Sequence, residues 1–183
     1  MRIVVCVGGS IAAYKACDLV SKLVQANHHV DVVMTEAAER FVRPLAFAAL
    51  THRPVFTQGQ WFEGAGSGLG PADHLRVTEE ADLLVVAPCT ANLIGKFAHG
   101  IADEIVSTTY LGASCPVLLA PAMNHRMWAA PRVKANMAVL EGDGVHVVGP
   151  EAGYLAEGDE GPGRLTEPEG IVAAITRLPD KSR

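Results

Sequence analysis

The sequence lacks the features that would point to nucleic acid, a membrane or zinc as its partner. It has no block of consecutive basic residues and its net charge is −5, so we expect no nucleic-acid partner. Its longest apolar runs have the length of single strands, far too short to span a bilayer, so we expect no membrane partner. Its four cysteines form no CxxC pair and have no zinc-like spacing to histidine, so we expect no metal site.

The composition favours a compact cytoplasmic protein. The N-terminus lacks the long apolar stretch and the cleavage site of a signal peptide, which leaves the cytoplasm as the expected location. A length of 183 residues, with 49% hydrophobic and 19% charged residues, fits a single domain over 1–183 that buries a sizeable core. Cys6 and Cys115 lie in or beside apolar runs, and we expect them to be buried, reduced thiols.

Strand-like and helix-like segments alternate along the chain. Short apolar runs predict strands at 2–7, 29–34, 82–87, 116–120 and 145–148. Apolar residues at helical spacing predict a helix behind Ser10, its expected N-cap, one after Thr35, and others at 43–50, 91–98, 103–111 and 167–178. Because these strands are apolar throughout and separated by helices, we predict an α/β fold. It is a doubly wound parallel sheet, Rossmann-like or flavodoxin-like, with helices on both faces.

Ligands of such folds bind beyond the carboxyl ends of the strands. The unusual polar residues of this chain occur at those places: Ser10 after the first strand, Thr35 after the second, and 88–92 and 121–124 after later ones. The segment 149–163 is rich in glycine and acidic residues and is too long for a plain connection. We therefore predict a substrate flap near 149–165.

The first motif, Gly8-Gly9-Ser10-Ile11, directly succeeds a predicted strand. Glycines there allow a tight turn, and the start of the next helix offers backbone N–H groups to a phosphate. The motif is not GxGxxG, so a single phosphate, as in FMN, suits it better than a pyrophosphate. The alternative is an ordinary turn between a strand and a helix.

The second motif comprises Thr90, Ala91 and Asn92, with Lys96 behind them. A hydroxyl and an amide at the start of a helix can hydrogen-bond a polar ring edge or a ribityl chain. The alternative is that Thr90 or Asn92 serves only as an N-cap.

The third motif surrounds Met123 and Asn124, directly after a buried strand. We expect the Asn124 amide to face the ligand crevice, where it can bind a carboxylate through its N–H groups. We expect Met127 and Trp128 to anchor the segment in the core. The alternative is a turn asparagine with packing residues beside it.

The fourth motif is Asp73-His74. Histidine titrates closest to neutral pH and therefore suits proton transfer. Six other histidines in the chain make the pattern a weak indication by itself.

At these residues the chain resembles the homo-oligomeric flavin-containing cysteine decarboxylases. The matching segments are GGSIAAYKA at 8–16, APCTANLIGKFAHGIADE at 87–104 and PAMNHRMW at 121–128. The last fits the family pattern PxMNxxMW at every fixed position. The resemblance extends from about residue 2 to residue 165.

The resemblance implies an FMN cofactor and a set of site residues. The cofactor would be bound by Gly9, Ser10, Ile11, Thr35, Thr90, Ala91 and Asn92. His74 would be the catalytic base, and Asn124 would bind the substrate carboxylate, with Met123, Lys96 and Arg164 as further substrate contacts.

The implied reaction is decarboxylation of 4'-phosphopantothenoylcysteine to 4'-phosphopantetheine in coenzyme A biosynthesis. It would pass through a thioaldehyde and an enethiol. Oxidation of the carbon that carries sulfur creates an electron sink next to the carbon that loses CO₂, and the enethiol is then reduced. The resemblance also implies a homo-oligomer, a trimer or a dodecamer, with cofactor sites between subunits.

One departure from the family concerns the flap. Glu157 stands where the family has a reductive cysteine. Either another acid, such as Glu157 itself, supplies the proton for the last reduction, or the enethiol is the product. The chain also lacks the ligase domain that many bacterial members carry behind this one, so we expect a stand-alone enzyme or one domain of a longer protein.

Three other functions remain open from the sequence. A decarboxylase of C-terminal peptidyl cysteine, of the lanthipeptide type, is disfavoured by the otherwise preserved flap, and substrate tests would separate it from the main hypothesis. A flavin prenyltransferase would share the fold but is disfavoured by PAMNHRMW. A non-enzymatic FMN-binding regulator is disfavoured by His74 and Asn124.

Overall fold

A sheet of six parallel strands, in the order β3-β2-β1-β4-β5-β6, forms the centre of the fold. The computed structural model describes residues 1–59, 77–156 and 158–178. The strands are β1 (Arg2–Val7), β2 (His29–Met34), β3 (Val55–Phe56), β4 (Leu83–Cys89), β5 (Val117–Pro121) and β6 (His146–Val147). The strand order reverses between β1 and β4, as in a Rossmann fold, and confirms the predicted doubly wound sheet.

Helices connect successive strands and cover the sheet. They are α1 (Ala13–Gln25), α2 (Glu36–Glu39), α3 (Pro44–Thr51), α4 (Ala91–Ala98), α5 (Ile105–Leu111), α6 (His125–Ala129), α7 (Pro131–Gly142) and α8 (Pro168–Ile175). None of the helices within the described residues combines the length and the apolar content that crossing a bilayer requires.

The core consists of two apolar layers, one on each face of the sheet. Along β1, Ile3, Val5 and Val7 point into the layer shared with α1, α3 and α8. Val4 and Cys6 point into the opposite layer, shared with α4, α5 and α7. This alternation results from the two-residue period of a strand. Both faces of β1 are therefore buried, as the uniformly apolar sequence predicts.

The segment between β6 and α8 forms an antiparallel hairpin of β7 (Glu151–Tyr154) and β8 (Glu160–Arg164). The sequence predicts a flap in this region but not its strands. The hairpin folds back over the end of β5, where the Met123 amide donates to the Gly163 carbonyl at 3.0 Å.

Three local predictions are wrong. Ser10 does not directly precede α1, because that residue is Ala12; the Ser10 hydroxyl instead accepts from the Ala12 amide at 3.2 Å in the turn before the helix. Met127 is not a core anchor, because it is 49% exposed, whereas Trp128 is half-buried against the core. The strand predicted at 82–87 runs on through Cys89.

Candidate functional site

The carboxyl ends of the parallel strands bring the predicted cofactor residues to one edge of the sheet. Thr35 lies after β2, Gly9 and Ser10 after β1, Thr90 after β4, and Asn124 after β5. Because the strand order is β2-β1-β4-β5, these residues lie along the edge in that sequence, on both sides of the point where the order reverses. The strand ends therefore form a continuous polar edge.

The glycine turn after β1 is packed too closely for side chains. The Gly8 amide donates to the Pro88 carbonyl at 3.1 Å, and an added Cβ at Gly9 would overlap the Cβ of Ala37. Among the described residues, none accepts a hydrogen bond from the backbone amides of Gly9, Ser10 or Ile11. Consecutive unsatisfied amides before a helix form a cradle suited to an anion such as phosphate.

A cavity of about 570 Å³ opens beside this turn, between the ends of β1 and β5 and the hairpin. Its volume lies in the range of small-molecule sites. It is lined by Ser10, Ile11, Ala12, Tyr14, Lys15, Ala122, Met123, Asn124, Tyr154, Leu155, Ala156, Gly163, Arg164 and Leu165. The structure therefore unites five of the predicted site residues, namely Ser10, Ile11, Met123, Asn124 and Arg164.

The oxygen and the nitrogen of the Asn124 side-chain amide have different surroundings. It is the N-cap of α6, and its Oδ1 accepts from the Arg126 amide at 2.8 Å. The carbonyl half of the side chain is thus engaged in holding the helix start. The Nδ2 group donates to no described residue and remains available for an acceptor in the cavity. The local fold therefore presents a donor of the kind that a carboxylate needs.

Two cations and two carboxylates lie together at the rim of the cavity. Lys15 Nζ pairs with Glu167 Oε1 at 2.8 Å. Arg164 Nη2 lies 3.2 Å from Glu151 Oε2 and 3.5 Å from Glu167 Oε1. The Arg164 Nε atom is buried and has no hydrogen-bond partner among the described residues. Arg164 therefore retains a donor beyond those that the two glutamates occupy.

Thr35 and Thr90 are helix caps at the same edge. The Thr35 Oγ1 accepts from the Ala38 amide at 3.0 Å, and the Thr90 Oγ1 accepts from the Leu93 amide at 3.3 Å. Thr90 is therefore an N-cap, and that it serves only as a cap stays a prediction. Gly9, Thr35, Thr90, Ala91 and Asn92 do not line the 570 Å³ cavity. Their predicted contacts with a cofactor stay predictions.

Lys96 lies apart from that cavity. Its Nζ pairs with Asp103 Oδ1 at 2.7 Å and with Glu104 Oε1 at 3.6 Å. It lines a second cavity of about 420 Å³ together with Glu36, Ala37, Arg40, Gln58, Asp103 and Glu104. Burial would lower the pKa of Lys96, but the two carboxylates outweigh it and raise that pKa. Its predicted contact with the substrate stays a prediction.

Two predicted catalytic residues, His74 and Glu157, lie outside the described residues. The sequence reasoning also missed residues that line the cavity, above all Tyr14, Lys15 and Tyr154. Lys15 falls within GGSIAAYKA, so the motif contained the signal. Nothing in the sequence indicated that Tyr154 would line the cavity, because it reaches the cavity only through the fold of the hairpin.

A doubly wound sheet with an anion cradle beside its switch point and an adjoining cavity is the arrangement of a nucleotide- or flavin-binding protein. The sequence profile of the Flavoprotein family matches residues 1–179, and the chain belongs to that family.

A curated relative and two solved structures are similar over most of the chain. The coenzyme A biosynthesis bifunctional protein CoaBC of Bacillus subtilis is 51% identical over 171 residues. That match covers 93% of this chain but only 41% of the relative. A PPC decarboxylase mutant complexed with pantothenoylaminoethenethiol is 27% identical, with a TM-score of 0.85 and 96% of both chains covered.

The second structure is the FMN-dependent cysteine decarboxylase TvaF from thioviridamide biosynthesis. It is 34% identical, with a TM-score of 0.76, and covers 82% of this chain and 90% of its own. The two structural similarities agree with the observed sheet order.

Proposed function

We propose that the protein binds FMN and decarboxylates 4'-phosphopantothenoylcysteine to 4'-phosphopantetheine. The observation that carries the proposal is the 570 Å³ cavity, in which Ser10, Asn124 and Arg164 meet beside the glycine turn. The cavity combines two residues of the anion cradle, Ser10 and Ile11, with a carboxylate donor and a cation.

The residues of the turn fit the phosphate of FMN. Gly9, Ser10 and Ile11 contribute three backbone amides that no described residue engages. The close packing of Gly9 against Ala37 leaves no room for a side chain that would block them. Thr35 and Thr90 would hold the remainder of the cofactor from the neighbouring strand ends, together with Ala91 and Asn92.

Bound FMN would supply a two-electron acceptor for the carbon that carries the sulfur, and a donor for the return of those electrons. The chain itself would orient the substrate. Asn124 Nδ2 would donate to the cysteine carboxylate while its Oδ1 stays on the Arg126 amide. Met123 would lie against the same part of the substrate, and the Arg164 guanidinium would face it from the hairpin side of the cavity.

The relatives support the choice of substrate. The relative that is 51% identical is a coenzyme A biosynthesis protein, and a structural neighbour carries pantothenoylaminoethenethiol, an enethiol related to the proposed substrate. This chain spans about 41% of the length of that relative, and the proposal concerns the decarboxylation alone.

We assign two proton-transfer steps to residues by sequence alone. His74 would be the base in oxidation of the substrate, and Glu157 would supply the proton in reduction of the enethiol. His74→Asn should abolish turnover. Glu157→Gln should leave CO₂ release in place while the enethiol accumulates. Accumulation of phosphopantetheine by the Glu157 variant would remove Glu157 from the mechanism.

A second candidate substrate is a peptide that ends in cysteine. The similarity to TvaF, a cysteine decarboxylase of peptide biosynthesis, supports it. The two candidates differ in the acyl group attached to the amide nitrogen of the cysteine, so a direct competition between the two substrates separates them.

Exposed apolar side chains support an assembly of several copies. Ile11 is 59% exposed, Tyr14 61% and Leu45 77%. A contiguous exposed apolar patch marks an interaction surface, and contact between copies would bury these side chains. We infer a homotrimer or a dodecamer built from trimers, which the mass of the FMN-loaded protein from light scattering would test.

The direct test measures CO₂ released from 4'-phosphopantothenoylcysteine that is labelled in the cysteine carboxylate. Asn124→Ala should lower kcat/KM by about 100-fold or more, since one donor to a charged group is lost along with substrate alignment. Arg132→Ala, on an exposed residue at the start of α7, serves as the control and should retain turnover. Absence of CO₂ release by the wild-type protein with FMN bound would reject the proposal.

A further inference from the structure

The far end of the β7–β8 hairpin meets the body of the protein at a histidine. His125 is the first residue of α6, and its Nδ1 lies 4.0 Å from Asp159 Oδ2 on the hairpin. The Nδ1 atom is buried and has no hydrogen-bond partner among the residues that the structure describes. A buried ring nitrogen that faces a carboxylate just beyond hydrogen-bond distance is an interaction left incomplete.

Close backbone packing fixes the geometry of this contact. An added Cβ at Gly161 would lie 2.9 Å from the His125 Cβ and 3.1 Å from its Cγ. An added Cβ at Gly163 would overlap the Met123 carbonyl oxygen. The Met123 amide donates to the Gly163 carbonyl at 3.0 Å. Two glycines thus let β8 lie directly on the 123–125 segment, with Gly161 against the base of the imidazole.

The hairpin and this segment form opposite walls of the cavity. Tyr154, Leu155 and Arg164 contribute from the hairpin, while Met123 and Asn124 contribute from the body. Anything that holds the hairpin against α6 therefore keeps the two walls together. Such contacts exclude water and fix the substrate before reaction.

We propose that His125 is a positioning residue that latches the hairpin over the cavity by pairing with Asp159. A shift of about 1 Å would bring Nδ1 to the usual hydrogen-bond distance from the carboxylate. A neutral imidazole with its proton on Nδ1 would then donate a hydrogen bond, and an imidazolium would form an ion pair. The consequence for turnover rests on the proposed function, whereas the latch itself does not.

Simple packing of the ring against Gly161 is the competing explanation. It predicts that removal of the Asp159 charge has no effect, because Asp159→Asn leaves the ring and the glycine in place. The latch predicts that His125→Gln and Asp159→Asn weaken the same contact. Neither variant needs to disturb the core, since Asp159 is 47% exposed and His125 29% exposed.

Hydrogen exchange of the FMN-loaded protein without substrate tests the latch. Amides of the 151–164 segment should exchange about threefold faster in His125→Gln and in Asp159→Asn, as expected for loss of a partly exposed pair. The double variant should exchange no faster than either single variant, because both remove the same interaction. The matched control is Glu160→Gln, which removes the neighbouring charge at the start of β8 and should leave exchange unchanged.

Steady-state kinetics supplies the second readout. With 4'-phosphopantothenoylcysteine, each latch variant should raise KM about threefold and leave kcat within about twofold of wild type, since the latch holds bound states without acting on the reacting atoms. Unchanged exchange in either single variant, additive effects in the double variant, or an equal effect of Glu160→Gln would overturn the latch. Faster exchange in a protein that releases no CO₂ would support the latch while rejecting the proposed function.

Discussion

The six-stranded sheet and the β7–β8 hairpin are held in place by different forces. In β1 and β4, every residue except Arg2 is buried, and the strands lie between two apolar layers. In the hairpin, Gly163 is the one buried residue of β7 and β8. The hairpin is attached by a backbone hydrogen bond, by glycines that permit close approach, and by the pair between Arg164 and Glu167.

Because different forces hold the two regions, we expect the sheet to govern stability and the hairpin to govern function. Apolar burial contributes most of the free energy of folding, so the sheet should determine whether the protein folds. The hairpin buries little apolar area and should contribute little to that free energy. It forms one wall of the cavity, however, so it should determine how well the site works. Single substitutions in the two regions can therefore separate the two roles.

Truncation of a core residue should act on stability and have the largest effect. Leu84, the second residue of β4, is fully buried. We expect Leu84→Ala to lower the free energy of unfolding by about 2–5 kcal/mol, from lost burial and the cavity left behind. Urea denaturation measures this. Leu111→Ala, at a residue that is 57% exposed, should change the same free energy by less than about 1 kcal/mol. Equal losses of stability in Leu84→Ala and Leu111→Ala would contradict the view that burial in the sheet determines stability.

Addition of one methyl group to the hairpin should act on turnover instead. A Cβ at Gly163 would overlap the Met123 carbonyl oxygen, so Gly163→Ala should lift β8 away from the body. We expect kcat/KM to fall about 100-fold, as small misplacements in a site can do, with the urea midpoint nearly unchanged.

The control for the hairpin variant is Gly142→Ala. An added Cβ at Gly142, the last residue of α7, meets no atom within 4 Å. Turnover should stay at the wild-type level, and the free energy of unfolding should change by at most about 1 kcal/mol. A large loss of stability in Gly163→Ala would contradict the separation of roles.

Thr90 combines both roles, because it caps α4 and lies at the edge where we propose that the cofactor binds. Thr90→Ala should lower the free energy of unfolding of the FMN-free protein by about 1 kcal/mol through loss of the cap. A larger loss in the FMN-loaded protein would mean that Thr90 also contacts the cofactor. Thr90→Ser keeps the hydroxyl and should restore the cap.

The smallest effect concerns a half-buried carboxyl group at the same edge. Burial raises the pKa of Glu104, and Lys96 opposes that rise. A raised folded-state pKa means that ionisation of Glu104 opposes folding. Its contribution to stability is full below the unfolded carboxyl pKa of about 4.3 and is lost as pH rises through the folded value.

Glu104→Gln should therefore remove part of the decline in stability above that pH. We expect a difference of less than about 1 kcal/mol between the pH profiles of variant and wild type. Denaturation midpoints from about pH 4 to about pH 8 measure it, a range that spans the titration of a carboxyl group with a raised pKa. A variant that loses stability faster than wild type as pH rises would show that the Lys96 pair dominates.

The fold was predictable where apolar residues repeat regularly. The strands β1 and β2 lie at the predicted positions, because each is a mostly apolar run bounded by a turn, even though Asp31 interrupts the run in β2. The prediction missed α7, in which only Met137 and Leu140 are buried, so its sequence lacks a wide apolar stripe. β3 has only two residues, too few to show any period.

The site was predictable where it lies at the ends of strands. Ser10 and Asn124 line the cavity because parallel strands deliver their carboxyl ends to one edge. Residues placed by long-range contacts were not predictable in the same way. Lys96 is held by Asp103 and Glu104, and Tyr154 reaches the cavity only because the hairpin folds back.

Mass spectrometry of the product tests the central claim most directly. The purified protein with FMN bound would be incubated with 4'-phosphopantothenoylcysteine. The account predicts a product that has lost CO₂ alone, which is 4'-phosphopantetheine. Loss of CO₂ and two hydrogens would mean that the reaction stops at the enethiol. It would contradict the proposal that the enethiol is reduced with a proton from Glu157. An unchanged substrate would contradict the proposed function as a whole.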